Sequence, residues 1–386
     1  MLRHSHCEGR WSKTGEEQFK STNNKQMKNI VCFHLFNDYS GSPKVLKSVL
    51  EGLADKGYRI DLVTSHGGIL DELKGNKNIR FTQYRYRFSD NGIITMLRYT
   101  WIQLVTFLLA FRYLFKKDVV FYINTILPIG PALAGKITGK RVVYHYHENA
   151  MVKSAFYRTL AWFMQKLADS IICVSKYQRS FLKREKGINV VPNALQETFA
   201  RKLMPDSEKA FEQQRILMLG SLKGYKGTIE FITIASHMNR YRFELVINDS
   251  QENIDKFLKE RNIGLTENIT IYSRQEDVTP FYNRASLILN LTNKKYAIET
   301  FGLTALEAMT AGLPVIVPTV GGISEMVEDG VNGYRIDVTD IKEIEEKTEN
   351  ILKSKKLYLH LSQNALECSR MYSSECMIES IEKFIC

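Results

Sequence analysis

Apolar and polar positions along the chain repeat in two rhythms, one of strands and one of helices. Residues 29–36 are a run of strand formers, and a turn is expected over 38–43. Apolar residues then recur at helical spacing over 45–56, and Gly57 is placed to end that helix in the left-handed conformation. The pattern predicts further strands over 59–64, 118–123, 141–146 and 170–174, with helices over 131–137 and 155–167. It breaks at 190–194 and through the polar stretch 196–214. It resumes with strands over 215–219, 243–247, 269–272, 287–291 and 315–317, and helices over 227–237, 254–260 and 341–353. Strands alternating with helices imply parallel sheets covered on both faces. Two such halves predict an α/β protein with an N-terminal lobe over 27–198, a C-terminal lobe over 199–370 and a closing segment over 371–386. Ligands in such sheets sit beyond the carboxyl ends of the strands, here expected in a cleft between the lobes. Residues 1–26 are polar and aperiodic, and read as a disordered tail or as sequence upstream of a true start at Met27.

The length of 386 residues suits two domains, and 44% hydrophobic with 25% charged residues is a globular composition. Cys7, Cys32, Cys173, Cys368, Cys376 and Cys386 form no C-x-x-C pair, so all six read as reduced thiols of a cytoplasmic protein. No stretch resembles a signal peptide, and the longest apolar run, 101–111, is about half a membrane span. Charge is uneven. Residues 27–195 hold 25 Lys and Arg against 11 Asp and Glu, a net of +14, whereas 196–386 hold 23 against 28, a net of −5. A basic half fits an anionic substrate, an anionic membrane surface or only a soluble face; no nucleic-acid-binding signature accompanies it, so no nucleic acid partner is expected. Residues 95–115 mix Leu, Phe, Trp and Tyr with Arg98, Arg112, Lys116 and Lys117. They read first as a helix packed on the sheet, and second as a helix with a lipid-touching rim.

Two segments carry candidate chemistry of a sugar nucleotide. In 296–322, Glu299 and Glu307 stand eight positions apart, with Phe301, Gly302 and Leu303 just after the first. Gly302 would admit backbone amides close to an anion where a helix begins, a natural diphosphate site. Glu307, about one turn into that helix, can accept hydrogen bonds from a ribose diol. Glu299 is then free to face the sugar. In 220–227, glycines with Lys223 and Lys226 follow a strand and precede a helix, a phosphate-cradle composition in which Lys226 supplies a point charge.

These residues resemble the retaining GT-B glycosyltransferases of family 4, the group with the glycogen and sucrose synthases and many bacterial polysaccharide enzymes. The resemblance covers about 27–386. It rests on the Glu299/Glu307 pair, the Gly-Leu-Pro-Val-Ile run at 312–316, the Val-Gly-Gly at 320–322 and Lys226-Gly227. It implies two Rossmann-like lobes, with the segment 372–384 packing back onto the first. It also implies a metal-independent, cofactor-free hexosyl transfer from a nucleotide diphosphate sugar. The implied donor set is Gly41, Ser221, Lys223, Lys226, Phe301, Gly302, Leu303 and Glu307, and the implied catalytic pair is His147 and Glu299. Ser221 departs from the family, which carries Arg there, and Lys223 is the candidate replacement. His147 is the better match to the family histidine and His145 the second; a period-2 strand puts both on one face, so a core role and a sugar-facing role stay open between them.

The basic first lobe points to an anionic acceptor, a saccharide or lipid-linked saccharide at the inner membrane face, with a peripheral membrane contact. A Walker A loop is rejected at 130–136 because Ile137 stands where the Mg²⁺-binding hydroxyl belongs. No Gly-x-Gly-x-x-Gly follows the first strand and no Asp-x-Asp occurs, which argues against NAD and against a metal-bound donor. The competing readings are a sugar-nucleotide epimerase on the same fold, a non-catalytic nucleotide-sugar-binding protein and a structural membrane-associated protein.

Overall fold

Thirteen strands form two all-parallel sheets in the computed structural model, which describes residues 29–385. The tail expected over 1–26 lies outside the described residues. The chain divides into two units, Met1–Gln196 with Ser374–Cys386, and Glu197–Ser373.

In the first unit the strands are β1 Asn29–His34, β2 Arg59–Ser65, β3 Ile79–Tyr84, β4 Val119–Asn124, β5 Arg141–Tyr146, β6 Ser170–Cys173 and β7 Ile188–Val190, in the order β3-β2-β1-β4-β5-β6-β7. The central strands are mostly apolar, as burial on both faces demands, with polar His34, Asn124 and His145 near their carboxyl ends; every residue of β4 is buried. Their helices are α1 Gly41–Asp55, α2 Gly92–Ala110, α3 Ile129–Ile137 and α4 Ala155–Leu167. Helix α1 starts inside the turn expected over 38–43, because Pro43 falls in its first turn, where a missing N–H costs nothing.

The second unit has β8 Arg215–Gly220, β9 Arg242–Ile247, β10 Ile269–Tyr272, β11 Leu287–Leu289, β12 Val315–Val317 and β13 Gly333–Arg335, in the order β10-β9-β8-β11-β12-β13. Around them lie α5 Thr228–His237, α6 Gln251–Glu260, α7 Leu303–Thr310, α8 Ile341–Lys353 and α9 Lys355–Ser369. Both units are therefore Rossmann-like, each reversing its strand order once, at β1/β4 and at β8/β11.

The chain then enters α10, Ser374–Ile385, which packs on α1 of the first unit. A Cβ at Gly52 would stand 2.0 Å from Ile378 Cδ1, so a larger residue here would have to push the Ile378 side chain aside. Lys56 Nζ and Tyr58 OH both reach the Glu382 carboxylate, at 2.6 and 3.0 Å.

Elements that the pattern does not announce include the edge strands β3, β7 and β13, a helix at Ser207–Gln213, whose first turn is capped by Asp206 accepting from Lys209 N–H, and the 15-residue helix α9. One expectation is corrected. Cys32, Cys173 and Cys368 carry free thiols, but Cys376 is disulfide-bonded. Sequence spacing reports metal and redox motifs, not which cysteines fold together.

Candidate active site

Each unit gathers polar side chains at the carboxyl end of its sheet, beside its strand-order reversal. In the second unit, the loop after β8 carries Ser221, Lys223 and Lys226, and the segment before α7 carries Glu299, Phe301 and Gly302. Gly302 caps α7 with φ +98°, and a Cβ there would lie 2.4 Å from Ile323 Cγ1. Both facts require glycine. Leu303 and Thr304 then open the helix with amides that have no intrahelical acceptor and lie at the positive end of the dipole. Asn290 Nδ2 holds the Thr304 hydroxyl at 3.2 Å.

Lys226 Nζ pairs with Glu299 Oε1, and Thr292 Oγ1 donates to the same oxygen at 3.2 Å. Gly227, at φ +75°, lets this loop approach the strand end: a Cβ there would sit 2.3 Å from the Leu291 carbonyl oxygen. The Gly-Gly turn closes the other side, with Gly322 N–H donating to the Glu299 carbonyl at 2.8 Å. One turn into α7, Glu307 Oε2 accepts from the hydroxyl of buried Tyr282 at 2.5 Å. Thus Lys226, Glu299, Gly302, Leu303 and Glu307 share one neighbourhood. The Phe301 ring is turned away from it, buried edge-on against Tyr372. Lys223 is exposed on the turn ahead of Lys226. The Ser221 hydroxyl is buried with no partner among the described residues.

In the first unit, His34 and Asn124 end β1 and β4, His145 is the penultimate residue of β5, and His147 follows β5. The His145 and His147 rings lie on one face, 4.1 Å between centroids. Tyr122 OH and His145 Nδ1 are hydrogen-bonded at 2.7 Å, and His145 is wholly enclosed. Asn124 bridges the other two: as its carboxamide is oriented, Oδ1 accepts from His147 Nε2 and Nδ2 donates to His34 Nδ1, each at 3.0 Å. Burial strips water from all three imidazoles and disfavours their cations. It lowers His34 to about 4, His145 to about 3 and His147 well below its ordinary value, so all are neutral at pH 7. The adjoining Glu148 carboxyl is raised by the same desolvation, and its Oε2 accepts from Ile126 N–H at 3.1 Å. Among the described residues no group of three or more His, Cys, Asp or Glu is placed to hold a metal ion. Gly41 is exposed at the first position of α1, after a turn in which Asp38 Oδ1 accepts from Ser40 N–H at 3.0 Å.

Tyr282, Thr292 and Asn124, which set the orientation of Glu307, Glu299 and His147, carry no motif.

A family model described as glycosyl transferases group 1 matches residues 199–367, and one described as glycosyltransferase family 4 matches 39–198. The capsular polysaccharide biosynthesis glycosyltransferase CapM of Staphylococcus aureus is 25% identical over 390 residues, covering 92% of this chain and 97% of CapM. N-acetyl-alpha-D-glucosaminyl L-malate synthase of Bacillus anthracis is 28% identical over 139 residues, 36% of this chain; the match spans only 35% of that synthase. Among solved structures, Anabaena Alr3699/HepE in complex with UDP and glucose superposes with a TM-score of 0.73 at 18% identity, covering 92% of this chain and 98% of that one. That likeness carries the fold.

Proposed function

The chain belongs to the GT-B glycosyltransferases of the group 1, family 4 type, and on that premise we propose that it is a retaining hexosyltransferase using a nucleotide diphosphate sugar. The observation that carries the proposal is the convergence of Lys226, Glu299, the glycine-capped N-terminus of α7 and Glu307. The diphosphate lies against the amides opening α7 and takes the ammonium of Lys226, competing with Glu299 for it. The ribose diol donates to Glu307, whose rotamer Tyr282 fixes. Glu299 accepts from hydroxyls of the hexose; in the first unit, the neutral imidazole of His147 is an uncharged group able to hydrogen-bond a sugar hydroxyl.

Transfer proceeds on one face of the sugar. The bond from the anomeric carbon to the phosphate oxygen breaks, and an acceptor hydroxyl bonds to the same carbon from the same side. Its proton passes to a phosphate oxygen of the departing diphosphate. Lys226 and the helix end stabilise the charge that develops there, and no metal ion is needed.

The acceptor is a saccharide or lipid-linked saccharide of surface polysaccharide synthesis. The basic first unit and the likeness to CapM support this. The neighbour solved with UDP and glucose makes UDP-hexoses the first donors to try. Titration calorimetry with UDP, GDP and ADP tests the site. Glu307→Ala should weaken the preferred diphosphate at least tenfold, on the order of the 1–3 kcal/mol lost with a hydrogen-bonded charged partner. Unchanged affinity removes the ribose role.

A further inference from the structure

Helix α2 is anchored on one side and bare on the other. Its buried positions, Tyr99, Ile102, Gln103, Thr106 and Ala110, recur every three or four residues. They fix it to α3 and its approach: Gly130 N–H donates to Gln103 Oε1 at 2.9 Å, and Tyr99 OH donates to the Leu127 carbonyl at 2.7 Å. A Cβ at Gly130 would meet the Gln103 carbonyl oxygen at 2.1 Å, so the two helices touch backbone to backbone.

The outward face repeats at four, three and four residues with Leu97, Trp101, Leu104 and Leu108, which are 66, 63, 48 and 60% exposed. Helix α3 packs on both α2 and α4, and α4 adds exposed Trp162 to the same layer. A folded soluble unit rarely leaves an apolar stripe of this length uncovered. Among the described residues, Gly92–Tyr113 is the helix long and apolar enough to cross a membrane, though 28% of its most apolar 18-residue stretch is buried. The polar anchors at Tyr99 and Gln103 hold α2 to its unit, so it is suited to lie in a membrane interface rather than to span it.

Charge selects the occupant. From Asn91 to Lys117 the chain has Arg98, Arg112, Lys116 and Lys117 and no acidic residue. A second copy docking by the same face would confront these cations with themselves. An anionic bilayer complements them, and exposed Leu114 and Phe115 sit beside the basic cluster as the apolar part of the same contact.

We propose that the outer face of α2 seats the protein on an anionic lipid surface, with Trp101 and Trp162 at headgroup depth. The idea extends the lipid-linked acceptor proposed above, but it is read without donor, acceptor or turnover. The full chain is sedimented with vesicles of phosphatidylcholine alone and of phosphatidylcholine mixed with phosphatidylglycerol. Wild type should bind the anionic vesicles at least tenfold better, and salt should weaken the difference. The triple substitution Trp101→Ser, Leu104→Ser, Leu108→Ser should lose tenfold or more while keeping its circular dichroism and its affinity for nucleoside diphosphate. Lys116→Gln with Lys117→Gln should lose about tenfold on anionic vesicles alone. Equal vesicle binding by the serine variant overturns the proposal. So does a dimer that the serine substitutions dissolve, found with no vesicle binding by wild type. Vesicle binding by a chain that takes no nucleoside diphosphate would keep this surface and remove the transferase reading.

Discussion

Replacing Gly302 by alanine would ask two separable things of the donor site. The residue has φ +98° and ψ 64°, where an L side chain costs about 1–2 kcal/mol. The new methyl would also stand 2.4 Å from Ile323 Cγ1 and 2.7 Å from Cβ and Cδ1 of the same side chain. Overpacking of that kind costs about 1–3 kcal/mol. The sum, roughly 2–5 kcal/mol, falls on the second unit. Trp11, Trp101 and Trp162 are the chain's tryptophans and none lies in the second unit, so the units can be followed apart. Urea unfolding watched by far-ultraviolet circular dichroism should show an earlier step, while the tryptophan emission transition stays in place. Ile323→Ala in the same chain removes the two outer clashing carbons but leaves φ as it is. The pair should therefore fall short of additivity by about 1–3 kcal/mol. Additivity within about 0.5 kcal/mol would refute the steric part. An unshifted dichroism transition would refute both parts.

Further outcomes follow from the same geometry. Tyr282→Phe removes the hydroxyl on Glu307 and should weaken the preferred nucleoside diphosphate by about 1 kcal/mol, while a 2′,3′-dideoxy analogue binds both proteins alike; an equal loss for the analogue would assign Tyr282 to packing only. Lys226→Met should cost at least tenfold in diphosphate affinity and little for the bare nucleoside, whereas Lys223→Met, on an exposed turn, should cost under about twofold; calorimetry showing the reverse order would make Lys223 the basic contact. The three buried imidazoles have folded-state pKa values below the unfolded 6.5, so their contribution to stability is complete above that value and is lost as pH falls through it, toward about 4 for His34, about 3 for His145 and well below the ordinary value for His147. Each contributes a slope of up to about 1.4 kcal/mol per pH unit, and Glu148, raised by burial, gains on protonation and softens the acid end of the fall. Urea midpoints by tryptophan emission that stay flat from pH 7 to pH 5 would contradict this. Asn124→Leu should leave donor affinity intact but lower kcat more than KM, with His147 losing its fixed tautomer; unchanged kcat would limit Asn124 to structure.

The fold was legible because its signal is local. Buried parallel strands are continuous apolar runs, as in 119–123, and the helices around them alternate with fixed spacing. Glu299, Gly302 and Glu307 were legible for the same reason, being close in one segment with a glycine only a special backbone needs. The groups that orient them were not. Tyr282 reaches Glu307 across 25 residues, Asn124 reaches His147 across 23, and His34 reaches Asn124 across 90. Nothing local marks a tyrosine or asparagine whose partner arrives only on folding. Edge strands such as β13, three residues with one buried, carry too little pattern to stand out. The outer stripe of α2 is a further case: the sequence shows an apolar helix with basic ends, and only the packing on α3 tells which face stays bare.

The most direct test of the account is release of nucleoside diphosphate by the full chain across a panel of UDP-, GDP- and ADP-sugars, with and without membrane extract. The account predicts release from one donor class that depends on the extract and is abolished by Glu299→Ala. No release from any donor by a folded chain that binds the nucleotide, or an isomerised sugar nucleotide formed without acceptor, would contradict it.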